Sequence, residues 1–65
     1  MVKYVGKEVR INRENTVRGL AKKAGIAPST ISKWENGSAL PDFGTLDSVA
    51  CALNVNPWEL IKFER

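Results

Sequence analysis

Short polar side chains are concentrated in one segment of the chain, where Ser29, Thr30, Ser32 and Lys33 follow Pro28. Hydroxyl and ammonium groups suit hydrogen bonding to a ligand. Catalytic partners for them are missing. The chain has no histidine and one cysteine, which excludes Ser-His and Cys-His nucleophiles and cysteine-histidine zinc sites. It also has neither a GxxxxGK nor a GxGxxG phosphate loop. The sequence therefore predicts a binding protein that is not an enzyme and uses no metal or cofactor.

Two short helices joined by a tight turn are predicted to position this segment. Thr16 is a good N-cap for the first helix. The apolar residues that follow it recur at i, i+3, i+4 and i+7, which makes one helical face: Val17, Leu20, Ala21 and Ala24. Gly25 suits the left-handed residue that ends a helix. We therefore expect this helix to start after Thr16 and to end at Ala24.

The second of the two helices is predicted to carry the polar segment itself. Pro28 fits its first turn, where the missing N–H costs nothing, and the Asn-Gly pair at 36–37 ends it. Ile31 and Trp34 lie three residues apart and are expected to face the core. Two short helices with a glycine-containing turn make a helix-turn-helix over about 16–37.

A longer helix is predicted after Asp42, a good N-cap. Its apolar residues repeat the i, i+3, i+4, i+7 pattern: Leu46, Val49, Ala50 and Leu53. Asn54 can end this helix. Cys51 follows Ala50 in this apolar stretch, and we expect it to be a small core residue.

A short last helix is predicted from Asn56 onwards, because Asn56 and Glu59 have the spacing of a capping box around Pro57. Trp58, in its first turn, is expected to serve either as a dimer anchor or as a lid on the core. The residues at 61–63 read as a strand or an extended tail.

The first fifteen residues fit two patterns. Strand-forming residues occupy Val2–Tyr4, and a helix fits roughly Gly6–Arg13, although residues 9–13 also alternate as a strand would. We favour a short strand followed by a helix, with the strand pairing with the C-terminal tail.

Charge is unevenly distributed along the chain of 65 residues, which is long enough for one domain and carries a net charge of +3. Residues 1–37 hold eight basic and three acidic side chains, whereas residues 38–65 hold two basic and four acidic ones. This asymmetry indicates a side that faces a polyanion. Chance clustering of charges on a solvated surface explains the asymmetry equally well. No apolar run is long enough to span a membrane, and no signal peptide is recognisable. We therefore expect a cytoplasmic protein without membrane contact.

The segment 16–37 resembles the Cro and phage-repressor type of helix-turn-helix family. Leu-Ala, then Gly, then Ser-Thr-Ile-Ser and finally Glu-Asn-Gly recur in that family at the spacings found here. Residues 45–61 are similar to the family's fourth and fifth helices. The likeness is closest to short single-domain bacterial regulators with a strand before their first helix. It implies an all-α, compact five-helix domain over residues 1–65, of the lambda-repressor-like DNA-binding type.

The resemblance also implies a sequence-specific transcriptional regulator that binds double-stranded DNA as a homodimer and responds to its own concentration, to degradation or to a regulatory protein partner. Its recognition helix, about 28–36, would enter the major groove and present Ser29, Ser32 and Lys33 to base edges, with Thr30 flanking them. The ring of Pro28 would pack on a thymine methyl group.

Phosphate contacts are expected around this recognition helix. They would come from the N–H groups at the start of the preceding helix, at Thr16 and Val17, and from Arg18 and Asn36. Arg10 and Glu35 match positions that form a partly buried ion pair in relatives of the phage-repressor type.

The chain departs from the family at two places that bear on DNA binding. Val17 stands where the family often has a phosphate-binding glutamine, and Pro28-Ser29 replace the polar Gln or Arg that commonly opens the recognition helix. These departures favour a second hypothesis, a protein-interaction module such as an antitoxin or an adaptor. Retention on duplex DNA at low and high salt discriminates the two.

Overall fold

The structure is a computed structural model that describes residues 1–64. Within these residues the fold consists of four α-helices, one 3₁₀ helix and a small antiparallel sheet. In chain order the elements are β1 (Val2–Tyr4), α1 (Gly6–Asn12), α2 (Val17–Ala24), α3 (Pro28–Glu35), α4 (Phe43–Leu53), a 3₁₀ helix (Pro57–Leu60) and β2 (Ile61–Phe63). The predicted helix-turn-helix is formed by α2 and α3.

The expected fold is confirmed in part. The strand at Val2–Tyr4 pairs with the C-terminal tail as predicted, but the fold is not all-α, and the described residues contain four α-helices where five were expected. In place of the fifth α-helix there is a 3₁₀ helix of four residues, and the chain becomes extended at Ile61 (φ −129°, ψ 154°). The capping box does form, since Asn56 N donates to Glu59 Oε2 at 2.7 Å. It starts a turn that cannot lengthen, because the following residues pair with β1 instead. The fold is therefore mostly helical with a two-stranded sheet.

The sheet joins the two ends of the chain. Val2 lies opposite Phe63, Lys3 opposite Lys62 and Tyr4 opposite Ile61. Because side chains alternate between the faces of a strand, Tyr4 and Ile61 share a face with Val2 and Phe63. That face packs on the helices at Tyr4 and Ile61.

Each α-helix ends in the same way, with a residue in the left-handed conformation and two backward hydrogen bonds. These residues are Glu14, Gly25, Gly37 and Asn54, with φ between 57° and 84°. After α2, for example, Ile26 N donates to Ala21 O at 3.0 Å and Gly25 N to Lys22 O at 3.3 Å. This Schellman pattern satisfies carbonyl groups that a helix end leaves free. It keeps the connections between helices short.

The core lies between α2, α3, α4 and the sheet. It consists of Tyr4, Leu20, Ala21, Ile31, Trp34, Leu46, Val49, Ala50, Leu53 and Leu60. The rings of Tyr4 and Trp34 meet at a centroid distance of 5.5 Å and an angle of 57°, a geometry that aromatic pairs favour. The apolar faces predicted for α2, α3 and α4 all contribute to this core.

Cys51 is exposed, contrary to the prediction. It follows Ala50 by one residue, and one residue is a turn of about 100° around a helix. The buried stripe of α4 therefore passes beside it. Among residues 1–64, no helix is long and apolar enough to cross a membrane.

Candidate nucleic-acid interface

The outer face of α3 carries a row of exposed polar side chains. Ser29, Ser32, Lys33 and Asn36 are spaced at i, i+3, i+4 and i+7, so they share one helical face, and all four are exposed. The opposite face holds Ile31 and is buried. Packing of that buried face against the core fixes which side chains α3 presents to a ligand.

Pro28 and Thr30 flank this row at the start of α3. Pro28 is exposed in the first turn, and Thr30 is half-buried. The N-cap residue, Ala27, has no side chain that can accept a hydrogen bond, although its carbonyl accepts from Thr30 N at 3.0 Å. The backbone N–H of Ser29 therefore has no side-chain cap and is open to an outside acceptor.

Asn36 follows the last residue of α3, and only the oxygen of its side-chain amide is hydrogen-bonded within residues 1–64. Its Oδ1 accepts from Ser38 N at 2.9 Å. The Nδ2 group has no acceptor within residues 1–64 and is exposed. A side-chain NH₂ that is free at the end of a helix can donate to a phosphate oxygen.

The start of α2 supplies a second set of donors. Thr16 caps the helix, since its Oγ1 accepts from Gly19 N at 2.9 Å. The first intrahelical bond runs from Leu20 N to Thr16 O at 2.9 Å. The N–H groups of Val17 and Arg18 precede these bonds and point out of the helix end, where the helix dipole favours an anion.

The side chains at the start of α2 differ in their exposure. Arg18 is exposed, whereas Val17 is half-buried and packs against the core. Val17 therefore offers only its backbone to a ligand. At this family position the valine side chain packs against the edge of the core.

Gly19 has a structural role close to this helix start. A Cβ at position 19 would lie 3.1 Å from Thr16 Oγ1, which is tighter than most such contacts. The glycine costs helix propensity, about 1 kcal/mol relative to alanine. It leaves room for the capping hydroxyl.

Arg10 and Glu35 hold α1 against the end of α3. Arg10 Nε donates to Glu35 Oε2 at 2.7 Å, and Nη2 donates to Oε1 at 3.1 Å. Only 12% of the Arg10 side chain and 9% of the Glu35 side chain are exposed. The hydrogen bond to Glu35 raises the pKa of Arg10 above its usual value. Arg10 therefore keeps its positive charge, and the contact is largely shielded from solvent.

A third contact of Arg10 was not foreseen from the sequence. Its Nη1 donates to the backbone oxygen of Asn15 at 2.9 Å. The Asn15 side chain accepts from Lys23 Nζ at 3.1 Å and donates to Arg13 O at 3.0 Å. Arg10 thus connects α1, the turn before α2 and the end of α3. No sequence pattern reveals a contact with a backbone oxygen.

The described residues hold no group of three or more acidic, cysteine or histidine side chains that could bind a metal ion. The exposed donors described above lie on two helices that pack together, along the outer face of α3 and in the first turn of α2. This arrangement offers hydroxyl, amide, ammonium and backbone donors, and it suits a ligand with many acceptors.

Comparison with known proteins shows which family the chain resembles. Residues 7–60 match the sequence model of a helix-turn-helix family. The crystal structure of a candidate DNA-binding protein from Bacteroides fragilis is similar, with a TM-score of 0.88 and 35% sequence identity over 95% of this chain and 100% of that chain. No curated protein matches the chain significantly.

The fold and the exposed face of α3 define a helix-turn-helix protein of the DNA-binding class. Because the family model covers most of the chain, the protein belongs to the Cro and phage-repressor type of helix-turn-helix family.

Proposed function

We propose that the protein is a sequence-specific transcriptional regulator that reads the major groove of double-stranded DNA with α3. The observation that carries this proposal is the row formed by Ser29, Ser32, Lys33 and Asn36, which is exposed along one face of α3 while Ile31 and Trp34 anchor the other. A major groove admits one α-helix.

The side chains of this row match what base edges require. Lysine can donate to guanine O6 and N7, and serine and threonine can bond to several base atoms. Pro28, exposed at the start of α3, offers an apolar surface to a thymine methyl group. Base readout is therefore assigned to Pro28, Ser29, Thr30, Ser32 and Lys33.

Phosphate contacts are assigned to the residues at the borders of α3. They are the N–H groups that follow Thr16, at Val17 and Arg18, the Arg18 side chain and the free amide of Asn36. Such contacts fix the register of a protein on the duplex without reading its sequence. The charge of the first 37 residues supports them, with eight basic against three acidic side chains.

A homodimer on DNA is part of this proposal. A single recognition helix contacts few base pairs, and regulators with this motif gain selectivity by binding two half-sites related by a two-fold axis. The protein would therefore select an operator with two-fold symmetry.

The experiment that tests the proposal is selection of bound sites from random duplexes, followed by a salt titration on the selected site. We expect a symmetric consensus. If each protomer contacts four to six phosphates, log K should fall against log salt with a slope of about −4 to −5 per protomer.

Two results would contradict the proposal. Binding without any enriched sequence would leave a nonspecific DNA-binding protein. Absence of binding at low salt would favour the second hypothesis, a protein-interaction module such as an antitoxin or an adaptor. The half-buried Val17, which withholds its side chain from a phosphate, is the observation that favours this second candidate.

A further inference from the structure

The outer edge of β2 carries backbone groups that point away from β1. At one end of the sheet, Val5 N donates to Leu60 O at 2.7 Å. Hydrogen-bonded pairs of residues alternate with non-hydrogen-bonded pairs along two antiparallel strands. Ile61 follows Leu60 and therefore lies in a non-hydrogen-bonded pair, and so does Phe63, two residues further on. The N–H and C=O groups of Ile61 and Phe63 are thus directed outwards.

These outward groups have no partner in the part of the chain that the structure describes. The sheet has two strands, so β2 has β1 on one side and no strand on the other. No backbone hydrogen bond within residues 1–64 involves the outward groups of Ile61 or Phe63. An unpaired edge of this kind is a template on which another extended chain can pair.

One face of the sheet borders an apolar hollow of about 390 Å³. Ile61 and Phe63 line this apolar hollow, together with Phe43 and Leu46 of α4. Leu46 is buried, whereas Phe43 and Phe63 are 80% and 75% exposed. No lysine or arginine lines the apolar hollow, and its one carboxylate belongs to Asp42. It therefore suits apolar side chains and disfavours acidic ones.

The opposite face of the sheet borders a second hollow, of about 470 Å³, which we call the basic hollow. Three lysines and two glutamates line it: Lys3, Lys7, Lys62, Glu8 and Glu64. Lys3 and Lys62 lie directly opposite each other in the sheet, where like charges are unfavourable. Lys3 is paired with Glu64 at 3.3 Å, but Lys62 has no ion pair within residues 1–64. An acidic group beside Lys62 would balance its charge.

We propose that the edge of β2 binds an extended segment of a partner protein as a third strand, and that this segment alternates apolar and acidic residues. Successive side chains of a strand point to opposite faces. The apolar side chains of the segment enter the apolar hollow, and the acidic ones lie beside Lys62. Backbone hydrogen bonds to Ile61 and Phe63 supply affinity, and the two hollows supply selectivity.

The edge of β2 suits such a segment better than the edge of β1 does. Both residues of β2 with outward backbone groups, Ile61 and Phe63, line the apolar hollow. In β1 only Val2 lines it, since Tyr4 is buried in the core. A segment beside β1 would therefore meet the apolar hollow at one position only.

Charge favours an acidic partner over a second copy of the chain at this edge. Antiparallel pairing of β2 with the same strand of another copy would set Ile61 opposite Phe63 and Lys62 opposite Lys62. Like charges directly opposite each other destabilise paired strands. Lysine on a short edge strand is a common protection against such self-pairing. An acidic strand gains an attraction where a second copy meets repulsion.

The test is amide hydrogen exchange of the full chain, followed by NMR, with synthetic peptides as probes. The main probe is Glu-Val-Glu-Val-Glu with both ends blocked. Lys-Val-Lys-Val-Lys reverses its charge, and Glu-Glu-Glu-Val-Val keeps its composition but breaks the alternation. At a peptide concentration about ten times the Kd, the main probe should slow exchange of the Ile61 and Phe63 N–H groups about tenfold.

The control peptides and the free chain show what would overturn the proposal. Unchanged exchange at Ile61 and Phe63 with the main probe would overturn it, and so would equal protection by all three peptides. Protection of the same two N–H groups that grows with protein concentration in the absence of peptide would show that a second copy occupies the edge, which also overturns it.

A charge reversal tests the assigned role of Lys62. Lys62→Glu should weaken binding of the acidic probe about threefold to thirtyfold, because an attractive cross-strand pair becomes a repulsive one. The same variant should strengthen binding of Lys-Val-Lys-Val-Lys. Lys22→Glu is the matched control, since it changes the net charge equally at an exposed lysine of α2. Equal effects of the two variants would contradict the proposal.

A second pair of variants tests the apolar hollow. Phe63→Ser should weaken binding of the acidic probe by at least about fivefold, as loss of an apolar contact side chain does. Trp58→Ser is the matched control, because Trp58 is 72% exposed but lines neither hollow. If Trp58→Ser weakens binding as much as Phe63→Ser, the apolar hollow does not hold the peptide. Circular dichroism checks that each variant folds.

The proposal goes beyond DNA reading and does not depend on it, since β2 is separate from α2 and α3. Lys33→Ala should bind the acidic probe as the unchanged chain does, although it should bind DNA weakly. Peptide binding by a chain that binds no DNA would contradict the proposed function alone. DNA binding by a chain whose β2 edge no peptide protects would contradict this inference alone.

Discussion

The ring of Tyr4 lies directly against the α-carbon of Gly6, so that a Cβ at position 6 would overlap the hydroxyl and the ring. Gly6 is the buried first residue of α1, and Tyr4 is the last residue of β1. The glycine allows the strand and the helix to meet within two residues. Tyr4 can therefore reach Trp34 in the core.

Gly6→Ala should destabilise the protein by about 1–3 kcal/mol, because the methyl group must displace a packed aromatic ring. Gly44→Ala is the matched control. A Cβ there meets only Asp42 Oδ1, at 3.7 Å, and the exchange gains helix propensity, so it should be neutral or slightly stabilising. Urea denaturation measures both. Equal effects of the two exchanges would show that Tyr4 does not fill the space at Gly6.

The Tyr4 hydroxyl predicts a loss of stability at alkaline pH. Burial of the phenol, together with the negative charge of Glu35, raises the pKa of Tyr4 to about 12. The folded state thus favours the neutral phenol relative to the unfolded chain, where the pKa is about 10. This preference adds about 2–3 kcal/mol to the free energy of unfolding. The added stability is fully present below pH 10 and is lost as the pH rises from about 10 to about 12.

Tyr4→Phe removes the titrating group and is the control for this loss. Because Tyr4 is the one tyrosine of the chain, the appearance of tyrosinate absorbance reports its titration directly. Its buried hydroxyl has no hydrogen-bond partner in the described residues, so Tyr4→Phe should be neutral or stabilising near pH 7. Tyrosinate that appears with a midpoint near 10 in the folded protein would contradict the prediction.

The ion pair between Arg10 and Glu35 predicts a large effect of removing one partner. Arg10→Ala leaves a partly buried carboxylate without a counter-ion, and at a buried site such losses cost about 3–5 kcal/mol. Arg13→Ala, which removes an exposed arginine next to the end of α1, should change the free energy of unfolding by less than about 0.5 kcal/mol. Urea denaturation and melting temperatures measure the difference.

Two further variants keep this prediction testable if Arg10→Ala does not fold. Arg10→Lys keeps the charge but not the two-pronged contact, and it should lose part of the stability. Replacing both partners, Arg10→Met with Glu35→Leu, should recover much of what the single change loses. An additive double variant would show that the two side chains do not interact.

The left-handed backbone at Glu14 predicts that a substitution there stabilises the protein. Glu14 adopts a φ of 57° at the end of α1, and among residues 1–64 it is the one residue with a left-handed φ that is neither glycine nor asparagine. The left-handed conformation costs an L-residue about 1–2 kcal/mol. Glycine avoids this cost but loses more entropy on folding. Glu14→Gly should therefore stabilise the protein by up to about 1 kcal/mol, measured by thermal denaturation.

Glu8→Gly is the matched control for this exchange, because Glu8 lies within α1 with helical geometry. It should destabilise the protein by about 1 kcal/mol. If both exchanges destabilise equally, the backbone at Glu14 is not strained.

Removing the Lys33 side chain is expected to change which DNA sequences the protein prefers. Lys33 lies on the exposed face of α3, four residues after Ser29, whereas Lys22 lies on α2. If Lys33 reads a guanine, Lys33→Ala should lose about 1–3 kcal/mol on the selected operator and relax the preference at one base pair. Ser29→Ala should lose less, at a neighbouring base pair.

Lys22→Ala is the control for charge alone. It should at most weaken binding to all sequences alike and lower the salt slope by about 1. Affinities for the operator and for a panel of single-base changes measure the three variants. If Lys33→Ala weakens every duplex equally, Lys33 contacts phosphate, and DNA shape or the neighbouring hydroxyl groups carry the specificity.

The sequence by itself determined the local structure of the helix-turn-helix. Thr16, Gly25 and Pro28 act on the backbone within one or two turns, so their effects can be read from residue type and spacing. The apolar periodicity of α2 and α3 likewise identified Leu20 and Ile31 as core residues. These features are local, and they sufficed to identify the family.

Only the tertiary structure decided the features that join distant parts of the chain. The sequence predicts that the tail pairs with the first strand, about sixty residues away, but only the structure shows that this pairing limits the last helix to a short 3₁₀ turn. The contact of Arg10 with the oxygen of Asn15 and the close approach of the Tyr4 ring to Gly6 join near neighbours in sequence, but they also depend on how the elements are packed. Phe43 at the start of α4 and Phe63 in β2 line one apolar hollow, although no pattern in either segment predicts that they do. Such contacts depend on three-dimensional packing, which periodicity and capping signals do not encode.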